Sequence, residues 1–314
     1  MIGFLARRVG HGLLVMLATV LVLFCLICVV PGDPASVVLG PHASLAQKAA
    51  LRAEMGLDLP VPVQFFRFVW RILHGDLGHD VLTHQPVAGL LLHALPHTLA
   101  LTAAGIGWAI ALGVPLGCFC ALGADGWADR VVGVVSAAAI ALPTSLVAIY
   151  ALLLFAVTLH WFPAIGVGRE GDPVDALRHL ALPSLALGLG WVGYLCRLMR
   201  AAMLEGLTAD HVRTFRAFGI GRARVAWRFV LPMAIVPVIA VLGVGVGSLL
   251  SGAVLVEMVF DRPGLGLLTY DAVLARNFPV VLGAVLVTAP LYLGCNFLAD
   301  LMIAGLDPRV RLQR

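Results

Sequence analysis

Six long apolar segments constrain the fold of this chain more than any other feature. They cover residues Val9–Val30, Thr98–Leu122, Val131–Leu159, Leu180–Met199, Met233–Met258 and Val280–Ile303. Each reaches the roughly 20 residues that a helix needs to cross about 30 Å of hydrocarbon. Only 12% of the residues are charged and the mean hydropathy is +1.00, so a water-soluble fold could not cover this much apolar surface. The sequence therefore predicts an all-α integral membrane protein with six transmembrane helices.

The basic residues predict the orientation of these helices. With the N-terminus in the cytoplasm, 13 of the 21 basic residues fall in cytoplasmic segments. Of the eight on the outer side, four lie in the long loop after the first helix, where the positive-inside rule loses force. The first apolar run is also too long for a cleaved signal peptide. We therefore expect a retained first helix and cytoplasmic N- and C-termini.

The chain divides into three predicted parts. Residues 1–31 form an N-terminal tail and the first transmembrane helix, residues 32–97 an extracytoplasmic helical loop, and residues 98–314 a five-helix core. Within the loop, Ser44 is placed to cap a helix that includes Gln47. A second, amphipathic run over Pro62–Leu73 brings aromatic side chains close to one face. It suits a helix at the outer membrane interface or under a partner.

Several motifs that could indicate ligand binding are better explained by the packing of helices. Gly188–Gly193 matches GxGxxG, but it lies inside an apolar run, so we expect close helix packing instead of nucleotide binding. The same holds for the GxxxG pairs Gly113/Gly117 and Gly243/Gly247. His93 and His97 have metal-like spacing but no acidic neighbour, and the six Cys lie in or beside apolar runs, so no metal site is predicted. No basic stretch alternates with aromatics, which argues against nucleic-acid binding.

A phosphate-binding loop is excluded because its motif requires a lysine, and the chain's single lysine, Lys48, stands outside any such motif. No cofactor is therefore expected in this chain. If ATP drives its activity, ATP and Mg²⁺ must be bound by another subunit.

The segment Glu205–Pro232, between the fourth and fifth apolar runs, is the most informative part of the sequence. Asp210 is placed to cap a short helix within residues 209–221, and Gly219 to end it in the left-handed conformation. A second short helix then leads into Pro232, where the fifth span opens. A short helix with exposed aromatics and arginines indicates docking to a partner, with an interfacial helix on the anionic inner leaflet as the alternative.

These residues resemble the cytoplasmic motif of bacterial ABC importer permeases. Gly219, nine intervening residues and Phe229-Val230-Leu231-Pro232 match its G-x9-I-x-L-P part. Asp210–Gly219 resembles the "DYVRTARAKG" pattern of the dipeptide/oligopeptide subfamily. Further matches to the first permease type of that subfamily follow in order along the chain: Gly32-Asp33-Pro34, Gly75-Asp76-Leu77-Gly78, Trp161–Gly166, Val259–Gly266 and Leu306-Asp307-Pro308-Arg309.

The resemblance implies a type I importer permease fold in the bacterial inner membrane. It also implies a second homologous permease subunit, cytoplasmic ATPases and an extracytoplasmic substrate-binding protein as partners, with membrane lipid around the helices. Residues 209–221 would include the coupling helix that fills a groove of the ATPase. The predicted coupling residues are Asp210, Val212, Arg213, Phe215, Arg216, Phe218, Gly219, Leu231 and Pro232.

Acidic residues in spans are functional candidates because burying a charge in lipid is costly. Glu257 is expected either to face the translocation pathway, together with Ser248 and Ser251, or to pack against the partner permease. Asp300 is expected to pair with Arg309 or Arg311.

The predicted function is import of dipeptides or oligopeptides by a non-enzymatic transport subunit. Nickel, haem, glutathione or opines remain alternative solutes within the family. An ion-coupled secondary transporter and a membrane enzyme are the more distant alternatives, since the spans hold few charges and no catalytic constellation.

Overall fold

A computed structural model describes residues 2–29, 44–47, 49, 59–169 and 171–306. These residues form helices and turns, with no β-strand among them. Ten helices of eight or more residues are present in the described ranges: α1 (Ile2–Val29), α2 (Val61–Leu73), α3 (Val87–Leu122), α4 (Trp127–Ala141), α5 (Thr144–Thr158), α6 (Pro173–Thr208), α7 (Asp210–Ala217), α8 (Arg222–Val259), α9 (Leu265–Leu274) and α10 (Phe278–Leu306).

Four of these helices, α3, α6, α8 and α10, are long and apolar enough to cross a membrane by themselves. The helices α4 and α5 reach that length and composition only together, and they are bent by 102°. The apolar run Val131–Leu159, predicted as one transmembrane helix, is therefore two helices that meet at a sharp bend. The bend falls at Leu142 and Pro143, where Leu142 is extended with ψ 126°, because proline disfavours helical geometry in the residue before it.

Four of the predicted spans lie within longer helices. The predicted first span, Val9–Val30, overlaps α1, whose described residues end at Val29. α3 begins at Val87 rather than Thr98 and continues through Pro96, so the predicted boundary at residue 97 falls inside a helix. Residues 222–259 form one helix that includes a π-helical turn, Ala226–Val230, just before Pro232. The predicted short helix that leads into Pro232 is present, and it continues into the fifth span without a break. The wider turn accommodates a proline that has no N–H to donate.

The chain divides into two compact units, Met1–Leu95 with Leu268–Leu293, and Pro96–Leu267 with Gly294–Arg314. In the second unit, α6 packs against α3, α4, α5 and α8. Glycines permit these close contacts. A Cβ on Gly117 or Gly188 would overlap the backbone of Cys196 or Gly105, respectively, which confirms the packing interpretation of these glycine motifs.

In the first unit, α2 packs against α1 and the early turns of α10. The contact buries Val20, Leu23 and Leu286, surrounded by Phe65, Phe68, Val69, Ile72, Leu77, Leu282 and Val285. The predicted amphipathic helix at Pro62–Leu73 is confirmed within one residue. The reciprocal hydrogen bonds between Ser44 and Gln47 confirm the predicted cap, while the rest of that predicted helix extends beyond the described residues.

Candidate functional site

The helix α7 lies between α6 and α8 and coincides with the predicted coupling helix. Its N-cap is Ala209, and Asp210 makes no side-chain capping bond, so the predicted Asp210 cap is wrong. Asp210 instead lies in the first turn, where its negative charge favours the helix N-terminus. Its Oδ1 is 3.9 Å from Arg213 Nη1, and both side chains are exposed.

The C-terminal end of α7 confirms the role predicted for Gly219. Gly219 has φ 78°. Its N–H donates to Arg216 O at 2.9 Å, and the N–H of Ile220 donates to Phe215 O at 3.1 Å. These two bonds satisfy carbonyls that the end of a helix would otherwise leave unpaired.

One side of α7 is anchored inside this chain. Val212 is only 1% exposed. The ring of Phe215 stacks on that of Phe229, at the start of α8, with centroids 4.4 Å apart. Leu231 is half-buried in the same apolar cluster. The expectation that Phe215 fills a groove in a partner therefore needs correction, because its ring is already occupied by α8.

The rest of the α7 surface is open. Phe218 is 79% exposed, and Arg213 and Arg216 are also exposed. Pro232 is also exposed. Exposed aromatic and arginine side chains are the residue types enriched at the energetic centres of protein interfaces. The structure thus divides the predicted coupling residues into an anchored face, packed within this chain, and an exposed face that includes Phe218.

An ion pair that no sequence motif indicated links α4 to α6. Arg200 donates from two nitrogens to both carboxylate oxygens of Asp129, with Nη2 at 2.6 Å from Oδ2. Asp129 also accepts the N–H of Asp125. At the same region of the fold, Arg222 Nη2 donates to Leu122 O at 3.0 Å. Paired bonds of this type fix orientation as well as distance, so they hold the helix that leads into α7.

Glu257, in the last turns of α8, is fully buried. Its Oε1 accepts a hydrogen bond from Thr98 Oγ1 at 2.6 Å. Its Oε2 accepts the N–H groups of Gly266 at 2.8 Å and Leu267 at 3.1 Å. The hydroxyl oxygen of Thr98 accepts the N–H of Leu265 at 2.8 Å. The first three amides of α9, which have no partner within their own helix, are thus capped by side chains of α3 and α8.

This position differs from the expectation that Glu257 faces a pathway. The carboxylate is enclosed and holds the loop between α8 and α9 in place. A Cβ on Gly264 would overlap the Glu257 carboxylate, so the loop can approach this closely only with glycine there. We call Glu257, Thr98 and the 264–267 backbone the carboxylate clamp.

Arg262 supports the same loop from the other side. Its Nη1 donates to Gly166 O at 3.3 Å and His179 O at 3.2 Å. Burial lowers the pKa of the Arg262 guanidinium, and the nearby Glu257 carboxylate opposes that shift. Thr98 and Arg262 carried no sequence signal for this role, because their partners lie on distant helices.

The remaining candidate residues are separate from the carboxylate clamp. Ser248 and Ser251 are exposed on α8, and Ser251 Oγ donates to Gly247 O. Asp300 lies in α10, but Arg309 and Arg311 lie outside the described residues. Within the described ranges, no group of three or more His, Cys, Asp or Glu side chains could hold a metal ion.

Known proteins resemble this chain along its whole length. Residues 113–312 match the family described as binding-protein-dependent transport system inner membrane component, and residues 1–102 match the N-terminal family of the same membrane component. A Brucella ovis protein provisionally named a peptide permease is 36% identical over 318 residues, which cover 99% of this chain and 100% of that protein.

Two further proteins extend the comparison. The glutathione transport system permease protein GsiC of Pectobacterium atrosepticum is 33% identical over 311 residues, which cover 99% of each chain. Among solved structures, the inward-facing MetNI methionine ABC transporter matches with a TM-score of 0.55 at 18% identity, covering 69% of this chain and 96% of that chain. At that identity the likeness is one of fold.

Proposed function

Because this chain belongs to the family of binding-protein-dependent transport system inner membrane components, we propose that it is one of two permease subunits in an ATP-driven peptide importer. Membership makes it a membrane permease subunit of an ABC importer, placed in the inner membrane by its apolar helices. The names of its relatives support peptides as the solute, with glutathione as the second candidate.

The proposed assembly contains a second homologous permease, cytoplasmic ATPases and an extracytoplasmic binding protein. ATP and Mg²⁺ would be bound by the ATPases, and this chain would hold no cofactor. The broken pair α4 and α5 would complete one span and α1 another, which gives six spans with both termini in the cytoplasm. Ser248 and Ser251 remain candidates for the pathway.

The proposed coupling mechanism depends on the two faces of α7, one anchored in this chain and one exposed. The anchored face transmits force to α8 through the stacked rings of Phe215 and Phe229. The exposed face, which includes Phe218, would enter a groove of the ATPase. Closure of the ATPases around ATP would then push α7 and tilt α6 and α8, so that the pathway opens alternately to either side.

Phe218→Ala tests the exposed face of α7. The substitution should weaken ATPase binding by about 30- to 1,000-fold, the range for an aromatic at the centre of an interface. The measurement is retention of the ATPases on the purified permease, together with ATP hydrolysis in vesicles. Leu82→Ala is the control, since Leu82 is an apolar side chain that is 68% exposed in the loop before α3. Full retention by Phe218→Ala would contradict the docking role.

The solute is tested by uptake in cells that lack only this chain and are complemented with it. Uptake of a labelled dipeptide should return on complementation and should be competed by unlabelled di- and tripeptides. Competition by glutathione alone would reassign the solute while leaving the permease role unchanged. If the complemented cells take up no labelled dipeptide and no peptide competes, the proposed solute class is overturned.

A further inference from the structure

The surface of α2 is divided into three sectors. One sector packs against α1 and α10, as described above. A second sector is apolar and exposed: Phe66, Trp70 and Leu73 are 71%, 66% and 75% exposed. At about 100° per residue these three side chains lie within an arc of roughly 60°. Arg67 and Arg71, both exposed, form a third sector beside them. The helix therefore presents adjoining aromatic and basic surfaces outward.

The contacts of α2 fix its level along α1 and α10. α1 and α10 contain 28 and 29 residues, so each is about 42–44 Å long and matches a bilayer with its headgroups. α2 contacts α1 between Val20 and Phe24, about 7–14 Å before the end of α1 at Val29. It contacts α10 between Leu282 and Leu286, about 6–12 Å after the start of that helix.

Both helices therefore place α2 at one level, near the boundary between headgroups and acyl chains. Interfacial helices insert an apolar face by about 5–10 Å at this boundary. Aromatic side chains favour the same level, and arginines attract anionic lipid phosphates there. A soluble partner would not reach side chains at this depth.

We propose that α2 is a lipid-binding interfacial helix, which inserts Phe66, Trp70 and Leu73 into the acyl boundary and binds anionic phospholipid through Arg67 and Arg71. The leaflet is the outer one in the orientation proposed above. The proposal rests on the membrane placement of the chain, and it holds whichever solute the permease carries.

Collision accessibility of spin labels distinguishes the possible environments of α2. The labels are placed by Phe66→Cys and Leu73→Cys in the assembled transporter, reconstituted in vesicles of phosphatidylethanolamine and phosphatidylglycerol. Cys25, Cys28 and Cys295 are replaced by Ala, whereas Cys118, Cys120 and Cys196 are buried and can remain. Gln85→Cys, at an exposed loop residue, provides the aqueous control.

We expect labels at residues 66 and 73 to collide with oxygen at least about threefold more than with a nickel chelate, because the polar chelate stays in water, which the hydrocarbon region excludes. The label at residue 85 should show the opposite preference. Equal access to the chelate at residues 66 and 85 would overturn the proposal in favour of an aqueous surface. Low access to both reagents would overturn it in favour of a protein partner, such as the second permease.

The basic sector is tested separately by Arg67→Gln combined with Arg71→Gln. The number of phosphatidylglycerol molecules retained through detergent washing, measured by native mass spectrometry, should fall by at least half relative to phosphatidylethanolamine. Arg169→Gln combined with Arg178→Gln is the matched control, since both arginines are exposed elsewhere. Unchanged retention, or an equal fall in the control, would show that these arginines do not select anionic lipid. ATPase retention, which tests the proposed function, should be unaffected in both variants.

Discussion

At its N-terminal end α8 meets α7 through apolar side chains, whereas at its C-terminal end it holds α9 through hydrogen bonds to a buried carboxylate. The first contact is the stacking of Phe215 on Phe229 beside the buried Val212. The second is the carboxylate clamp, in which Glu257 and Thr98 cap the first three amides of α9. One helix therefore carries two joints of different chemistry.

The difference teaches how a transport helix can be fixed at one end and movable at the other. Hydrogen bonds depend steeply on angle and distance, so the carboxylate clamp specifies one geometry. Apolar packing is non-directional, and stacked rings can shift at small cost while they remain in contact. The α7 joint therefore suits a segment that moves with a partner, and the clamp suits a fixed point about which α8 tilts.

Glu257→Ala should produce the largest effect, because it breaks the fixed joint. It leaves the buried N–H groups of Gly266 and Leu267 and the Thr98 hydroxyl without their acceptor. Each stranded donor costs about 1–3 kcal/mol, and we expect a total loss of about 3–5 kcal/mol. Thermal unfolding of the purified permease in detergent, followed by fluorescence, measures the loss.

Two variants sharpen that result. Glu257→Gln can still accept hydrogen bonds at one oxygen, so its unfolding temperature should lie between those of the native protein and Glu257→Ala. Glu205→Ala removes an exposed carboxylate of α6 and should change the unfolding temperature little. If Glu257→Ala is no less stable than Glu205→Ala, the clamp does not hold the loop.

Phe215→Ala should have a smaller and more local effect at the movable joint. Phe215 is half-buried, so its truncation should cost about 2 kcal/mol, less than for a fully buried ring. That corresponds to about a 30-fold increase in the opening of α7, measured by hydrogen exchange of residues 210–220 in the isolated permease. Phe218→Ala removes the exposed ring and should leave exchange in the isolated permease unchanged.

These two phenylalanines therefore separate anchoring from docking. Phe215→Ala should increase exchange with or without ATPase, whereas Phe218→Ala should reduce only the protection that bound ATPase adds. Equal exchange in the two isolated variants would show that α7 does not have the two distinct faces seen in the structure.

The sequence predicted the helices that depend on a local residue pattern. It did not predict the contacts between residues that are far apart in the chain. Apolar length identified α3, α6, α8 and α10 as spans, and amphipathic spacing located α2 to within one residue. The bend before Pro143 was missed because the apolar composition continues through it, although the local effect of proline on its preceding residue was readable.

At the candidate site, the sequence likewise does not show in which direction each side chain points. Phe215 and Phe218 are close in sequence and both suit an apolar stripe. Only the position of Phe229, which follows a turn and lies on α8, determines which ring is covered. The partners of Glu257 were equally unreadable, since Thr98 is 159 residues away along the chain. Tertiary packing, and not local propensity, assigned these roles.

Gly219→Ala should give the smallest effect, confined to the end of the movable joint. A Cβ at residue 219 meets no atom within 4 Å, so the cost comes from the backbone, whose φ is 78°. The left-handed conformation costs a non-glycine residue about 1–2 kcal/mol, and we expect about 1 kcal/mol, or roughly fivefold faster exchange at residues 215–220. Asparagine tolerates this conformation better than alanine, so Gly219→Asn should show about half that free-energy cost or less. Gly221→Ala is the matched control, because Gly221 also has open space around it but has φ −61°, and its exchange should stay native. If all three variants exchange alike, backbone conformation does not set the end of α7, and the apolar contacts of Phe215 alone hold this joint.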